Sequence, residues 1–103
     1  MKNGLYKEYR KDGKVQYDRY YFKNQYHKVD GPAIIEYDSL GNINNEEYYI
    51  NGRLHRENGP AQITYLNKKI KREQYYLNNK AHREDGPAYI TYNDDGTIMY
   101  EKY

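Results

Sequence analysis

The chain has 103 residues, 17 basic and 15 acidic side chains and a formal charge of +2, which fits one domain without a dominant field of either sign. It has no cysteine, which excludes disulfides, thiol nucleophiles and thiolate metal sites, and no apolar run reaches bilayer length or resembles a signal peptide, so a cytoplasmic home without membrane contact is expected. Leu, Ile, Val and Phe are scarce but tyrosine occurs 16 times, and rings with wettable hydroxyls suit a thin β-sheet exposed on both sides.

Leu5-Tyr6-Lys7-Glu8-Tyr9 reads as the first strand, and Arg10-Lys11-Asp12-Gly13-Lys14 as a turn whose glycine supplies a positive φ. A second strand runs from Val15 to Phe22, its paired Tyr20 and Tyr21 pointing to opposite faces. Lys23-Asn24 then marks a short hairpin, followed by a stretch carrying His27 and ending at Gly31-Pro32. Proline cannot donate to a ladder, so Pro32 marks a bulge or a strand entry. From Ala33 the alternation Ala33, Ile35, Tyr37 begins a new strand.

The same order then recurs. His27-Lys28-Val29-Asp30-Gly31-Pro32-Ala33 returns as His55-Arg56-Glu57-Asn58-Gly59-Pro60-Ala61 and as His82-Arg83-Glu84-Asp85-Gly86-Pro87-Ala88, at spacings of 28 and 27 residues. A period in this range marks a repeat architecture. The shorter spacing comes from the turn Leu66-Asn67-Lys68-Lys69, which lacks glycine and leaves Asn67 as the candidate for the left-handed position. Tyr48-Tyr49-Ile50-Asn51-Gly52 carries the strongest type I′ hairpin signal, echoed at Asn78-Asn79. The expected fold is all-β, an elongated twisted antiparallel meander of roughly eight strands and about three and a half hairpin repeats of 27–28 residues. Residues 1–103 form a single repeat domain, with a partial unit over 1–30 and further units beginning near Gly31, Gly59 and Gly86.

The Tyr-Tyr-x-Asn-Gly element at 48–52, leading into His-Arg-x-x-Gly-Pro-Ala, resembles the MORN-repeat variant family over nearly the whole chain. It departs from that pattern at Asn24 and Asn79, where glycine is expected, and in the shortened turn near Lys68. The resemblance implies a twisted antiparallel sheet serving as an interaction surface or scaffold, with no shared catalytic activity.

Chemistry is sparse. Equivalent residues of successive units lie about 10 Å apart in a meander, so His27, His55 and His82 cannot converge on one ion whose ligands sit about 2.1 Å away. No metal, cofactor or catalytic residue is expected: the only serine is Ser39, in a turn, and equal spacing makes ladders where an active site needs unlike groups converging. The residues His27, Gly31, Pro32, His55, Arg56, Gly59, Pro60, His82, Arg83, Gly86 and Pro87 are read as structural joints between units. Asp18, Glu46, Glu73 and Glu101 are expected to form a cross-strand salt-bridge row with Lys28, Arg56 and Arg83.

Function is then expected on the variable positions. Tyr21, Tyr49, Tyr76, Arg53, Arg72 and Tyr89 are the candidate interaction surface of a non-enzymatic module that binds a protein partner, given the weight of Tyr and Arg in interface hot spots. Two alternatives stand beside this. About 100 residues from Met1, rich in amino acids with A/T-rich codons, also suit a phage- or mobile-element-encoded inhibitor acting in the host-cell cytoplasm, in anti-CRISPR fashion, by blocking a CRISPR nuclease. Tyrosine rows beside Arg and Lys suit single-stranded RNA or DNA, a lesser expectation because the charges nearly cancel. Exposed sheet edges lead to the expectation of a homodimer through edge strands.

Overall fold

Strand and turn signals alternate along the sequence, and they carry the chain back and forth into antiparallel sheets. A computed structural model describing residues 1–103 contains thirteen strands and no helix, hence no helix long and apolar enough to cross a membrane. In chain order the strands are β1 (Gly4–Tyr9), β2 (Val15–Phe22), β3 (Gln25–Tyr26), β4 (Ile34–Tyr37), β5 (Ile43–Glu47), β6 (Tyr49–Ile50) and β7 (Arg53–Leu54). There follow β8 (Gln62–Leu66), β9 (Lys69–Gln74), β10 (Tyr76–Leu77), β11 (Lys80–Ala81), β12 (Tyr89–Tyr92) and β13 (Ile98–Lys102). Eight of them pair in one antiparallel path, β1-β2-β4-β5-β8-β9-β12-β13, which is the order of a meander. The remaining five have two residues each: β3 pairs with the end of β2, β6 with β7, and β10 with β11.

Two turn chemistries set these pairings. At Gly13, Gly41 and Gly96 the backbone adopts φ of 89°, 87° and 88°, and each glycine N–H bonds the carbonyl three residues earlier, on Arg10, Asp38 and Asn93. The register shifts by one residue beside each of these turns and likewise beside Asn67-Lys68, so a bulge accompanies each long hairpin of the main sheet with or without a turn glycine. The two-residue turns Lys23-Asn24, Asn51-Gly52, Asn67-Lys68 and Asn78-Asn79 have positive φ at both positions, the type I′ signature. Lys68 joins Asn67 in the left-handed region at φ 66°, since a two-residue hairpin of this hand needs both.

The pleat sorts side chains onto two faces. On one, Asp18 faces Ile35, Glu46 faces Ile63 and Glu73 faces Ile90 across the non-hairpin junctions. Ala33, Ala61, Ile63 and Ile90 are buried, together with Asp18. Only 8 of 103 residues reach burial, so the sheet has no second layer and tyrosine rings supply much of its apolar contact. The extents are 38 × 31 × 17 Å, which makes a plate where an elongated body was expected. Eight strands about 4.8 Å apart span roughly 35 Å, close to the combined length of a strand and its hairpin arm.

Candidate interaction surface

The three loops that begin at histidine lie where the chain leaves a short hairpin and re-enters the main sheet. Tyr20, Tyr48 and Tyr75 stand at the crossing. Each donates its backbone N–H to the sheet, at Ala33, Ala61 and Ala88 (2.7, 2.8 and 2.8 Å), and each carbonyl accepts from the hairpin side, from the N–H of His27, His55 and His82. Tyr48 and Tyr75 fall outside the ladders, and β5 and β9 stop one residue earlier, whereas Tyr20 stays within β2 opposite Leu5.

Successive hairpins are then tied to one another. The N–H of Lys28 reaches the carbonyl of Tyr49, and that of Arg56 the carbonyl of Tyr76, both at 3.2 Å. His27 Nδ1 accepts the N–H of Asn51 at 2.9 Å, and His55 Nδ1 accepts that of Asn78 at 3.0 Å, which puts the imidazole proton on Nε2. Asn79 returns the contact: its side-chain oxygen accepts the N–H of Leu54 at 2.7 Å. Asparagine at this position is thus a cross-hairpin staple that glycine could not supply, and Asn24 makes the same bond with the N–H of Lys2. Near the first strand, Asn3 Oδ1 accepts the N–H of Lys23 at 2.9 Å, a bond like the one the histidine rings make further along.

The basic residue after each histidine stays within its own loop. Lys28 Nζ lies 3.9 Å from the ring centre of Tyr20, and the guanidinium carbons of Arg56 and Arg83 lie 4.0 and 4.2 Å from those of Tyr48 and Tyr75. Arg56 and Arg83 also donate to the carbonyls of Pro60 and Pro87 at 3.2 Å. The expected salt-bridge row is therefore absent, because all three cations are held on tyrosine faces, Arg56 and Arg83 also bond proline carbonyls, and Arg83 pairs with Asp85 of its own loop at 3.1 Å. Gly59 and Gly86 complete the stack: a Cβ there would fall 3.0 and 2.8 Å from the guanidinium carbon, whereas at Gly31 the nearest lysine atom is 3.6 Å away.

The acids find phenols instead. Tyr37 donates to Asp18 at 2.8 Å, Tyr65 to Glu46 at 2.5 Å, and Tyr92 to Glu73, each tyrosine reaching diagonally across a junction. Asp18 additionally pairs with Lys7 at 2.8 Å, which raises the lysine pKa. Burial, and then the bonded carboxylate, pushes the Tyr37 and Tyr92 hydroxyls up to about 12 and raises Tyr65 as well.

The opposite face collects most of the expected interaction residues. The register places Tyr21, Arg72, Gln74 and Tyr89 on it, and Tyr49 and Tyr76 turn to it through hydroxyl bonds to Glu47 and Gln74 at 3.0 and 3.1 Å. Arg53 does not join them, since it sits opposite Ile50 while Tyr49 sits opposite Leu54. Tyr6 and Tyr26, absent from the expected set, connect it: the ring centres of Tyr6–Tyr21, Tyr21–Tyr26 and Tyr26–Tyr49 are 5.3, 5.1 and 5.3 Å apart. Lys2 Nζ caps this row, 4.9 Å from the Tyr21 ring. Beside it runs a polar ladder, in which Gln74 donates to Gln62 at 2.5 Å and Gln62 donates to Glu47 at 3.2 Å. Arg72 donates to Thr64 at 3.3 Å and keeps a buried Nε–H with no acceptor. Tyr26 was hidden in the sequence because it lies in a two-residue strand with no alternation to betray its face. No family model, curated protein or solved structure matches this chain.

Proposed function

We propose that the chain is a non-enzymatic protein-interaction module of about three and a half units, built in the manner of MORN-variant repeats. Its binding surface is the face that carries the Tyr6–Tyr21–Tyr26–Tyr49 row and the adjoining Gln74–Gln62–Glu47 ladder. The observation that carries this reading is the ring row itself, four aromatic side chains in continuous contact on a sheet with no second layer, Tyr6 exposed and Tyr21, Tyr26 and Tyr49 half-buried. Tyrosine contributes large contact area at low entropic cost, and the neighbouring amides, carboxylate and Arg72 guanidinium supply directional bonds.

The test is capture from the source cells on the immobilised chain, with Tyr26→Ala and Tyr49→Ala as face variants and Arg53→Ala as an off-face control. The expected result is one protein retained by wild type and by the Arg53 variant, resistant to nuclease, and lost at least tenfold with either tyrosine variant. Retention that disappears on nuclease treatment, or that ignores the tyrosine variants, would overturn the proposal.

A further inference from the structure

Each internal junction of the main sheet joins a strand of one type to a strand of another, and the two outermost strands are the unmatched halves of such a junction. In β2·β4, β5·β8 and β9·β12 an acid on the first strand faces isoleucine on the second, and a tyrosine two residues beyond that isoleucine bonds the acid. Within the β12·β13 hairpin Glu101 faces Ile90, as Glu73 faces Ile63 in β8·β9, so Glu101 holds the acid position. Within β1·β2 Lys7 faces Asp18, as Ile35 faces Glu46 in β4·β5, so Lys7 holds the isoleucine position and Tyr9 the tyrosine position. Neither β1 nor β13 has a second neighbour in the sheet, and all their residues are exposed.

We propose that β13 of one copy pairs antiparallel with β1 of a second copy, head to tail, with Glu101 facing Lys7 of that copy. The register follows from the internal junctions and leaves no freedom. It sets a carboxylate against an ammonium, brings the Tyr9 hydroxyl to Glu101, and places Tyr100 opposite Glu8. The last pair repeats one already present in the chain, where Tyr17 donates to Glu36 across β2·β4 at 3.1 Å. Tyr9 and Tyr100 are 60% and 54% accessible, so both rings are free to be covered. A contact between two different edges does not close on itself, and assembly therefore continues by adding copies. The tyrosine face described above stays free, because pairing uses the edges of the sheet alone.

The experiment is sedimentation equilibrium across a broad concentration range on wild type, Tyr9→Glu, Glu101→Lys and the double variant. Wild type should show a weight-average mass that climbs past twice the monomer without a plateau. Tyr9→Glu sets two carboxylates together and Glu101→Lys sets two ammonium groups together, so each single variant should lose all mass above monomer. The double variant still sets an ammonium group at 101 directly against Lys7 and should stay monomeric as well. Both side chains are exposed, and circular dichroism with thermal melting at low concentration verifies that every variant is folded. A wild type that stays monomeric throughout, a plateau at twice the monomer mass, or folded single variants that assemble like wild type would each overturn the proposal.

Discussion

Gly59 and Gly86 have a role that turn geometry does not explain, since neither has the left-handed φ found at Gly41 or Gly96. What they provide is room for a guanidinium lying flat on a tyrosine ring. Alanine at 59 would place its methyl 3.0 Å from the Arg56 carbon and lift the cation off Tyr48 and away from the Pro60 carbonyl. Losing both contacts, offset by the lower entropy of the unfolded chain, should cost about 1 kcal/mol, or roughly 5 °C in Tm. In an Arg56→Ala background the same Gly59→Ala change meets no guanidinium and should become neutral or slightly stabilising. Gly31→Ala should be mild in wild type, because the nearest lysine atom is 3.6 Å away and ends a flexible chain. Thermal melts of this double-mutant cycle decide the matter: an equal penalty for Gly59→Ala with and without Arg56 would show that the glycine serves the backbone instead. The sequence pointed to these glycines by repetition but could not say what they accommodate, because the ring that receives Arg56 is Tyr48, eight positions earlier, where the chain passes from β5 to β6.

At the scale of strands, alternation and turn residues made most of the main sheet legible. Ala33, Ile35 and Tyr37 run as a period-2 set into β4, and the glycine turns end where the sequence places them. The partners of the acids were not legible. Bases such as Arg56 look like natural counterions for Glu46, yet the stack on Tyr48 removes them, and the phenol two residues beyond the facing isoleucine is long enough to reach the carboxylate. This phenol ladder predicts lability in alkali. The ordinary phenol pKa is about 10, and the folded state raises Tyr37 and Tyr92 to about 12, so folding holds protons that the unfolded chain would release. Their stabilising contribution is complete below about pH 10 and is lost as pH rises through about 12. Tm should therefore fall across that interval, and Tyr37→Phe or Tyr92→Phe, which cannot ionise, should flatten the fall while lowering Tm at neutral pH. A Tm for wild type that is level from about pH 9 to about pH 12 would contradict the ladder.

Over the whole molecule, stability is set by position along the strand path. A one-layer sheet has no common core, so each strand depends on its two neighbours, as in repeat proteins where energy is approximately a sum of local terms. The central strands hold the buried side chains, Ile34 in β4, Ile63 in β8 and Ile90 in β12, with Ala33 and Ala61 fully covered beside them. β1 and β13 have no buried residue and one neighbour each. Amide hydrogen exchange should accordingly be graded: slowest in β4, β5, β8 and β9, where opening needs both flanking strands to separate, and fastest in β1 and β13, which can peel away alone. The same measurement reaches the edges from the other side. In dilute solution β1 and β13 should exchange with little protection, and as concentration rises both should slow together, because a head-to-tail contact covers one edge of each kind for every junction formed. Protection gained by β1 alone or β13 alone would indicate a symmetric pairing of like edges. Uniform protection from β1 to β13 in dilute solution would mean that the sheet opens as one cooperative unit, against the nearest-neighbour picture.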